Sequence, residues 1–545
     1  MSFLGRRLSD GRAVVLLTLL LFAWTHRYVF ELTGFAEDIG HVQFLSTSVA
    51  SGDIGQQMAL RVAGPLWGPG STMWRPWAYA SLCVDAYLYG DRAVLWRISN
   101  VLLHALAAMF TGLLAQSSTR SSFAGVVAFS VFLLNPWSAE ITLWLVGRFD
   151  GWVTAAVTCA LWAAWRSRGI DRWLLISAIA GSIAYMSKES ALIQPIALLC
   201  LIWVQQRQAV SHREPSTSRS LHFFLVIARA IADRFPLVLT HALLLLCYLL
   251  IRRELFGSIS TDVYASGSLL DVTELVRRYV AHIQNFASIG TLAPISSALA
   301  TALFFGALIS SAFVAASLSR DLVCFAVFWV FVVFLGAALH FGNVSANTDG
   351  ARLYYLAIVG FSFCAAAVVD TAIRNRWRSR LIFGVAIFLI TLAVWQNAVN
   401  RQWALAAKEI ASATRAIAQE VQALPQRDYG LLLLPDSMGR VPTFRNTQGA
   451  IVRAAAAQVP DKYPLDYMVV LLPAQIDEWY QLTGENVLRH FTKREGAPAA
   501  PTRYYCKQAG QQNVQPLGFW ERGTLEQWRA EWKRRVGVAC PAIGF

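Results

Sequence analysis

Long apolar runs alternate with short polar breaks through the first three-quarters of the chain, and then the pattern stops. A helix needs about 20 apolar residues to cross a bilayer. On that measure the sequence predicts eleven spans, with apolar cores at 13–31, 94–115, 122–138, 149–165, 173–187, 190–205, 236–251, 289–317, 322–341, 353–371 and 380–396. Two connecting segments are long and mixed in polarity. The first, 32–92, carries Trp67, Trp74 and Trp77 among prolines and glycines, and predicts short helices lying in the membrane interface. The second, 252–290, has helical apolar spacing over 269–286 and predicts another interfacial helix. Beyond 397 the composition is that of a soluble region. A helical stretch at 402–422 precedes two strand-like runs, 429–434 and 467–472. The expected architecture is an all-α polytopic membrane domain over 1–396, with a small α+β extracytoplasmic domain over 397–545.

Composition narrows the class. Of 545 residues, 56% are hydrophobic and only 15% charged, against about 25% charged in a soluble domain. The chain is therefore read as an integral membrane protein. The net charge of +14 comes with arginines clustered before the first span and in alternate loops, near 120, 166–172, 207–234, 320 and 374–380. That is the positive-inside asymmetry, and it explains the basic balance without nucleic acid. The first apolar run is followed by Trp24, Thr25, His26 and Arg27 rather than a small-residue cleavage site, so it reads as an uncleaved span. An odd number of spans then puts the N-terminus in the cytoplasm and the C-terminal domain outside, in the periplasm if the alanine- and arginine-rich composition marks a bacterial inner membrane. Six of eight cysteines sit in or beside apolar segments. Cys506 and Cys540 lie in the tail, where an oxidising compartment would permit a disulfide. No CxxC or His/Cys metal spacing occurs.

Candidate chemistry gathers on the outer side. Glu37 and Asp38 are adjacent just beyond the first span, and Arg75, His104, Glu140, Arg148, Asp150, Lys188, Glu189 and Arg352 fall at or near outer helix ends. Ionisable groups at membrane depth are costly and mark substrate paths. A carboxylate that accepts a proton, beside cations that hold an anion, suits group transfer. Plainer readings stand beside this one. The turn 135–150 could close on a Glu140–Arg148 or Arg148–Asp150 pair. Lys188 and Glu189 could satisfy each other. Arg352, with Tyr354 and Tyr355, could anchor a helix end in the interface.

Four stretches in order carry a resemblance over about 10–370. They are Arg75-Pro-Trp-Ala-Tyr with Asn100…His104, Pro136…Glu140…Trp144…Gly147-Arg148-x-Asp150, Ser187-Lys188-Glu189, and Arg352-Leu-Tyr-Tyr-Leu. Together they resemble the GT-C superfamily of membrane glycosyltransferases, and more narrowly the protein O-mannosyltransferases and their tetratricopeptide-containing relatives. The resemblance implies that Glu37 or Asp38, with Asp38 favoured, is the catalytic base. It implies a sugar donor linked to a polyprenyl phosphate, inversion at the sugar, and cations such as Arg148, Lys188 or Arg352 on the departing phosphate. Some members need a divalent cation and others do not. Here Glu37–Asp38, joined by Glu140 or Asp150, would supply oxygen ligands to Mg or Mn. The sequence departs from the family in its Glu–Asp order, in Asn135 where relatives carry His, and in lacking tetratricopeptide repeats. The acceptor is left open among glycolipid, polysaccharide and protein. Two rivals stand beside this reading: a polysaccharide polymerase or ligase using a diphosphate-linked donor, and a lipid or solute transporter. A transporter would be expected to show matching halves, and none is visible.

Overall fold

The computed structural model describes residues 3–32, 38–66, 71–210, 231–258, 272–288, 320–340, 351–374 and 378–424, and parts of 430–543. The described chain is mostly helical. Six helices are long and apolar enough to cross a membrane, at Gly11–Glu31, Ala93–Thr119, Glu189–Gln208, Phe235–Phe256, Asp321–Leu339 and Leu381–Ala423. A bent pair, Ser122–Leu133 with Pro136–Leu143, makes a seventh if it is one broken span. Two further expected spans are shorter apolar helices, Arg172–Tyr185 and Ala357–Ile373. The run expected at 149–165 is helical over Arg148–Arg166, with charge at both ends. The run at 289–317 lies outside the described residues.

The chain divides into two compact units. One comprises Met1–Arg27, Ser48–Tyr89 and Leu95–Asn400; the other comprises Tyr28–Thr47, Gly90–Val94 and Arg401–Phe545. In chain order the helices are α1 (Phe3–His26), α2 (Asp38–Ala50), α3 (Ile54–Val62), α4 (Pro76–Tyr89), α5 (Ala93–Thr119), α6 (Ser122–Leu133), α7 (Ala139–Leu143), α8 (Arg148–Arg166), α9 (Arg172–Tyr185) and α10 (Gln194–Val210). There follow α11 (Phe235–Phe256), α12 (Val272–Ser288), α13 (Arg320–His340), α14 (Ala351–Tyr354), α15 (Ala357–Arg374), α16 (Arg378–Ala423) and α17 (Leu525–Ala539).

The first unit is a helical bundle whose core is alanine, valine, leucine and aromatic rings. Small residues let its helices approach, as membrane packing requires. A Cβ on Gly112 of α5 would lie 2.8 Å from the Phe129 Cβ of α6, and one on Gly125 would lie 2.7 Å from the Gln116 Cβ. Buried hydroxyls and an imidazole tie other helices together. Thr18 donates to Ser130 at 2.8 Å, and His241 meets Ser177 at 2.9 Å and Gln194 at 2.7 Å. The helix expected within 269–286 is α12, which runs from Val272 to Ser288.

In the second unit a four-stranded sheet is ordered β2-β1-β3-β4, with β1 (Gly430–Leu433), β2 (Met468–Leu471), β3 (Arg503–Cys506) and β4 (Gln515–Gly518). β1 pairs in parallel with β2 and β3, and β3 pairs antiparallel with β4. The two strand-like runs of the sequence are β1 and β2. Trp528 and Trp532 of α17 pack on Leu431, Leu433 and Tyr504. Thr524 and Gln527 close a capping box at the start of α17, and Cys506 is disulfide-bonded to Cys540. The expected helix at 402–422 is not separate from the last span. Both belong to α16, 46 residues long.

Candidate functional site

The site begins with a break in a helix. α6 stops at Leu133 because Pro136 follows; a proline cannot donate to the preceding turn. Asn135 caps the new turn, its Oδ1 accepting from the Trp137 backbone N–H at 3.1 Å. The chain bends by 52° between Ser122–Leu133 and Pro136–Leu143, passes through α7 and a tight turn over Leu145–Gly147, and enters α8 at Arg148. Gly147 permits this path. A Cβ there would overlap the Glu140 carbonyl oxygen and lie 2.9 Å from the Ile141 Cα. Three charged residues 140, 148 and 150 are thereby delivered buried to one end of the bundle.

None of the three pairs with another. Glu140 receives the Arg352 backbone N–H at 2.7 Å and the Arg352 guanidinium at 3.1 Å. Asp150 takes Lys188 Nζ on both carboxylate oxygens at 2.6 Å. Arg148 donates to Asp85 Oδ2 at 2.5 Å, Asn100 Oδ1 at 2.8 Å, the Trp96 carbonyl at 2.9 Å and the Ser81 carbonyl at 3.2 Å. Lys188 and Glu189 also part company. Arg75 donates to Glu189 Oε2 through Nε at 3.1 Å and Nη2 at 2.7 Å. The other oxygen, Oε1, accepts no hydrogen bond among the described residues, with Arg252 Nη1 3.6 Å away. A backbone hydrogen bond from Trp77 to Met186 at 3.0 Å fixes the start of α4 against the end of α9, which brings Arg75 to Glu189.

The result is a layer of cations, each seated on a carboxylate. Lys188 lies within electrostatic reach of both Arg75 and Arg352. Their exposure differs: the Arg252 side chain is 1% exposed, Lys188 10%, Arg75 11% and Arg352 26%. Arg352 also lies 4.4 Å over the Trp144 ring, a contact that holds a guanidinium flat while its edge stays able to donate.

His104 is fully buried inside the bundle. Its Nε2 meets the Leu133 carbonyl at 3.0 Å, which only an N–H can satisfy, so its Nδ1 accepts from the Tyr355 hydroxyl at 2.6 Å. Both ring nitrogens are thereby engaged in bracing α5 against the end of α6 and the start of α15. Asp38 is buried at the first residue of α2 and belongs to the second unit, whereas the cation layer belongs to the first. Glu37 lies outside the described residues.

Two residues of this arrangement escaped the sequence reading. Asp85 forms the seat of Arg148 together with Asn100, which stands in the sequence reading only as part of a motif, and Arg252 stands beside Glu189. Asp85 had one usable signal, as the sole acid in the apolar helix α4. Among the described residues no three His, Cys, Asp or Glu side chains gather as a metal site. Asp85, Glu140, Asp150 and Glu189 each already face a cation. Of the oxygen ligands expected for Mg or Mn, Glu140 and Asp150 are thus already neutralised, and Glu37 lies outside the described residues.

No family model matches the chain, and no curated protein matches it significantly. Among solved structures it is similar to ArnT from Cupriavidus metallidurans bound to undecaprenyl phosphate, at 13% identity and a TM-score of 0.45, over 90% of this chain and 92% of that one. ArnT in the apo state gives the same identity and score over 93% and 94%. The archaeal oligosaccharyltransferase AglB from Archaeoglobus fulgidus, in complex with an inhibitory peptide and a dolichol-phosphate, gives 13% and 0.46 over 93% and 70%. At these identities and scores the likeness is one of outline.

Proposed function

We propose that the chain is a membrane glycosyltransferase that moves a sugar from a polyprenyl-phosphate donor to an acceptor hydroxyl at the outer face of the membrane. The observation that carries this reading is the layer of Arg75, Lys188 and Arg352, seated on Glu189, Asp150 and Glu140 at one end of an apolar bundle. Ion pairs at such depth are expensive and do not anchor a helix end. Cations fixed by carboxylates are preorganised for an anion whose charge grows during reaction.

The donor phosphodiester carries one negative charge, and cleavage to the phosphate monoester adds a second. Arg352, the most exposed of the cations, meets phosphate oxygens through the edge of its guanidinium. Lys188 adds a compact charge behind it. Asp38 takes the proton of the acceptor hydroxyl, and the oxygen then attacks the anomeric carbon from the face opposite the phosphate. The C–O bond to phosphate breaks, its electron pair stays on the phosphate oxygen, and the sugar is inverted. Arg148 and His104 are positioning residues: their hydrogen bonds hold the helix break and the α5 face in place. Seated on Asp85, Asn100 and backbone carbonyls, Arg148 holds α8 against α4 and α5 rather than touching phosphate. No step is routed through a metal ion.

The acceptor is a glycan, a glycolipid or a protein. The sidedness follows from the arginine distribution, with the Cys506–Cys540 disulfide in keeping with an oxidising outer compartment.

The test is transfer by purified protein in nanodiscs from a panel of radiolabelled polyprenyl-phosphate sugars, comparing wild type with Asp38→Asn and Glu37→Gln. Donor-dependent transfer that Asp38→Asn abolishes, with folding and donor binding retained, is expected. Transfer that survives both substitutions sinks the role of the first loop. A diphosphate-linked donor used in preference to all monophosphate donors would move the reading to a polymerase or ligase.

A further inference from the structure

At the far end of the same helices lies a second basic feature that sugar transfer does not use. A cavity of about 360 Å³ is lined by Leu113, Gln116, Ser117, Arg120, Trp162 and Arg166. Its walls are the last turns of α5 and α8. Asn100, in the seat of Arg148, and Gln116 are sixteen residues apart on one helix, about 24 Å of rise. Arg148 and Arg166 mark the two ends of α8, about 27 Å apart. These lengths approach the thickness of the hydrocarbon core. The cavity therefore sits at the opposite membrane interface from the cation layer, on the arginine-rich side that the positive-inside rule assigns to the cytoplasm.

Three features suit it to an anion. Its lining holds two guanidinium groups and two neutral polar side chains, with no carboxylate. The nearby acid, Asp171, is already engaged, accepting from the backbone N–H of Arg168 and Leu174 and from the Ser167 hydroxyl. Arg166 is oriented by two rings, 4.4 Å from Trp173 and 5.5 Å from Trp162, so little side-chain freedom remains to be lost on binding.

Arg120 supplies an independent clue. Among the described residues it is the sole non-glycine with a positive φ, 56°. It stands just past the end of α5, where glycine is the inexpensive choice. An arginine there accepts about 1–2 kcal/mol of backbone strain and places its charge at the cavity mouth. The tryptophans 162, 165 and 173 cluster near this end of α8 and the start of α9, the residue type that is enriched at membrane interfaces. Hydrogen bonds order the surrounding frame, from Gln208 to the Ser118 carbonyl, from Gln205 to the Trp165 carbonyl and from Arg234 to Gln205.

We propose that this cavity binds the phosphate headgroup of an anionic phospholipid from the arginine-rich leaflet. The apolar wall of Leu113 and Trp162 receives the glycerol and first methylenes, and Arg120 and Arg166 hold the phosphate. A free phosphate ion would offer the same charge without that apolar portion, and the experiment separates the two.

Full-length protein in nanodiscs holding equal phosphatidylglycerol and phosphatidylcholine is released for native mass spectrometry, and retained lipids are counted. Phosphatidylglycerol is expected to be retained in preference. Arg120→Gln with Arg166→Gln is expected to cut that preference about thirtyfold, at roughly fivefold per charge, while Arg120→Lys with Arg166→Lys keeps most of it. Equal retention of both lipids by wild type, or a preference unchanged in the glutamine variant, would overturn the proposal. Hydrogen exchange supplies the second arm. Protection of 113–120 and 160–168 is expected in phosphatidylglycerol and absent in phosphatidylcholine with added inorganic phosphate. Equal protection by inorganic phosphate would overturn the lipid assignment. The lipid comparison uses wild type alone, so a variant that fails to fold does not remove the test.

Discussion

The two ends of α5 and α8 treat positive charge in opposite ways. At one end Arg148 is 2% exposed and locked to Asp85, Asn100 and two backbone carbonyls. At the other, Arg166 and Arg120 are exposed, and Arg166 rests on tryptophan rings. The first arrangement cannot exist before the bundle has assembled, because its partners come from two other helices, α4 and α5. The second rests on rings from its own and the next helix, Trp162 and Trp173, and among the described residues holds no buried ion pair. Burial converts a charge from a marker of topology into part of the tertiary structure, and it makes removal costly in a way that exposed charge is not.

The largest expected effect tests that difference directly. Arg148→Ala or Asp85→Ala strands the other member of a buried pair and is expected to cost about 3–5 kcal/mol, seen as a large fall in the thermal midpoint in detergent. Arg166→Ala should stay within about 0.5 kcal/mol, the range of ordinary surface changes. Equal shifts at the two ends would break the contrast.

The next effect separates structure from chemistry within the buried end. Lys188→Met alone leaves Asp150 without its cation and should lower both stability and transfer. Adding Asp150→Leu removes the stranded charge. Stability is then expected to recover while transfer stays down by about 100–1,000-fold, the scale of losing a transition-state charge contact. Recovery of the rate together with stability would make the pair purely structural. Thermal unfolding and initial-rate assays on the same samples decide it.

The smallest effect belongs to exposed pairs of the local kind. Glu531 is held at about 2 by hydrogen bonds from Arg534 and Arg535. Its folded-state value is depressed, so its contribution to α17 is fully present above the ordinary value of 4.5 and is lost as pH falls through about 2. Circular dichroism of wild type against Glu531→Gln should show no difference in pH dependence between pH 5 and 8, and a divergence only below 4. A divergence near neutrality would refute the assignment.

The same contrast explains what could be read from the sequence. Helical runs of apolar residues announce themselves, and the hydropathy pattern found the cores of α1, α5, α11 and α13. Local pairs such as Glu274 with Arg277 and Arg278 follow from spacing alone. The buried pairs do not. The sequence suggested neighbours, Glu140 with Arg148 and Lys188 with Glu189, whereas the fold joins Glu140 to Arg352 across 212 positions and Arg75 to Glu189 across 114. That charged residues lie at helix ends was legible in the sequence. Who meets whom is set by helix packing, which no periodicity encodes. In the tail, β1 and β2 were visible as apolar runs, while β3 and β4 were not. β4 reads Gln-Pro-Leu-Gly, with the proline and glycine that sequence rules assign to turns, and they are tolerated because the strand lies at a sheet edge. α16 was divided in two because its sequence turns polar near 397. Yet no proline or glycine occurs between 385 and 423, and nothing stops the helix.

Gly147 bears on how this chain can vary. Its missing Cβ is the space occupied by the Glu140 carbonyl, and no residue is smaller. A library randomised at 147 should return one amino acid, while an exposed position of α5 such as Leu102 tolerates many. The route by which new specificities arise must therefore run around the turn. Selection is free to change the side chains on either side of the turn but has no single-step access to the turn itself.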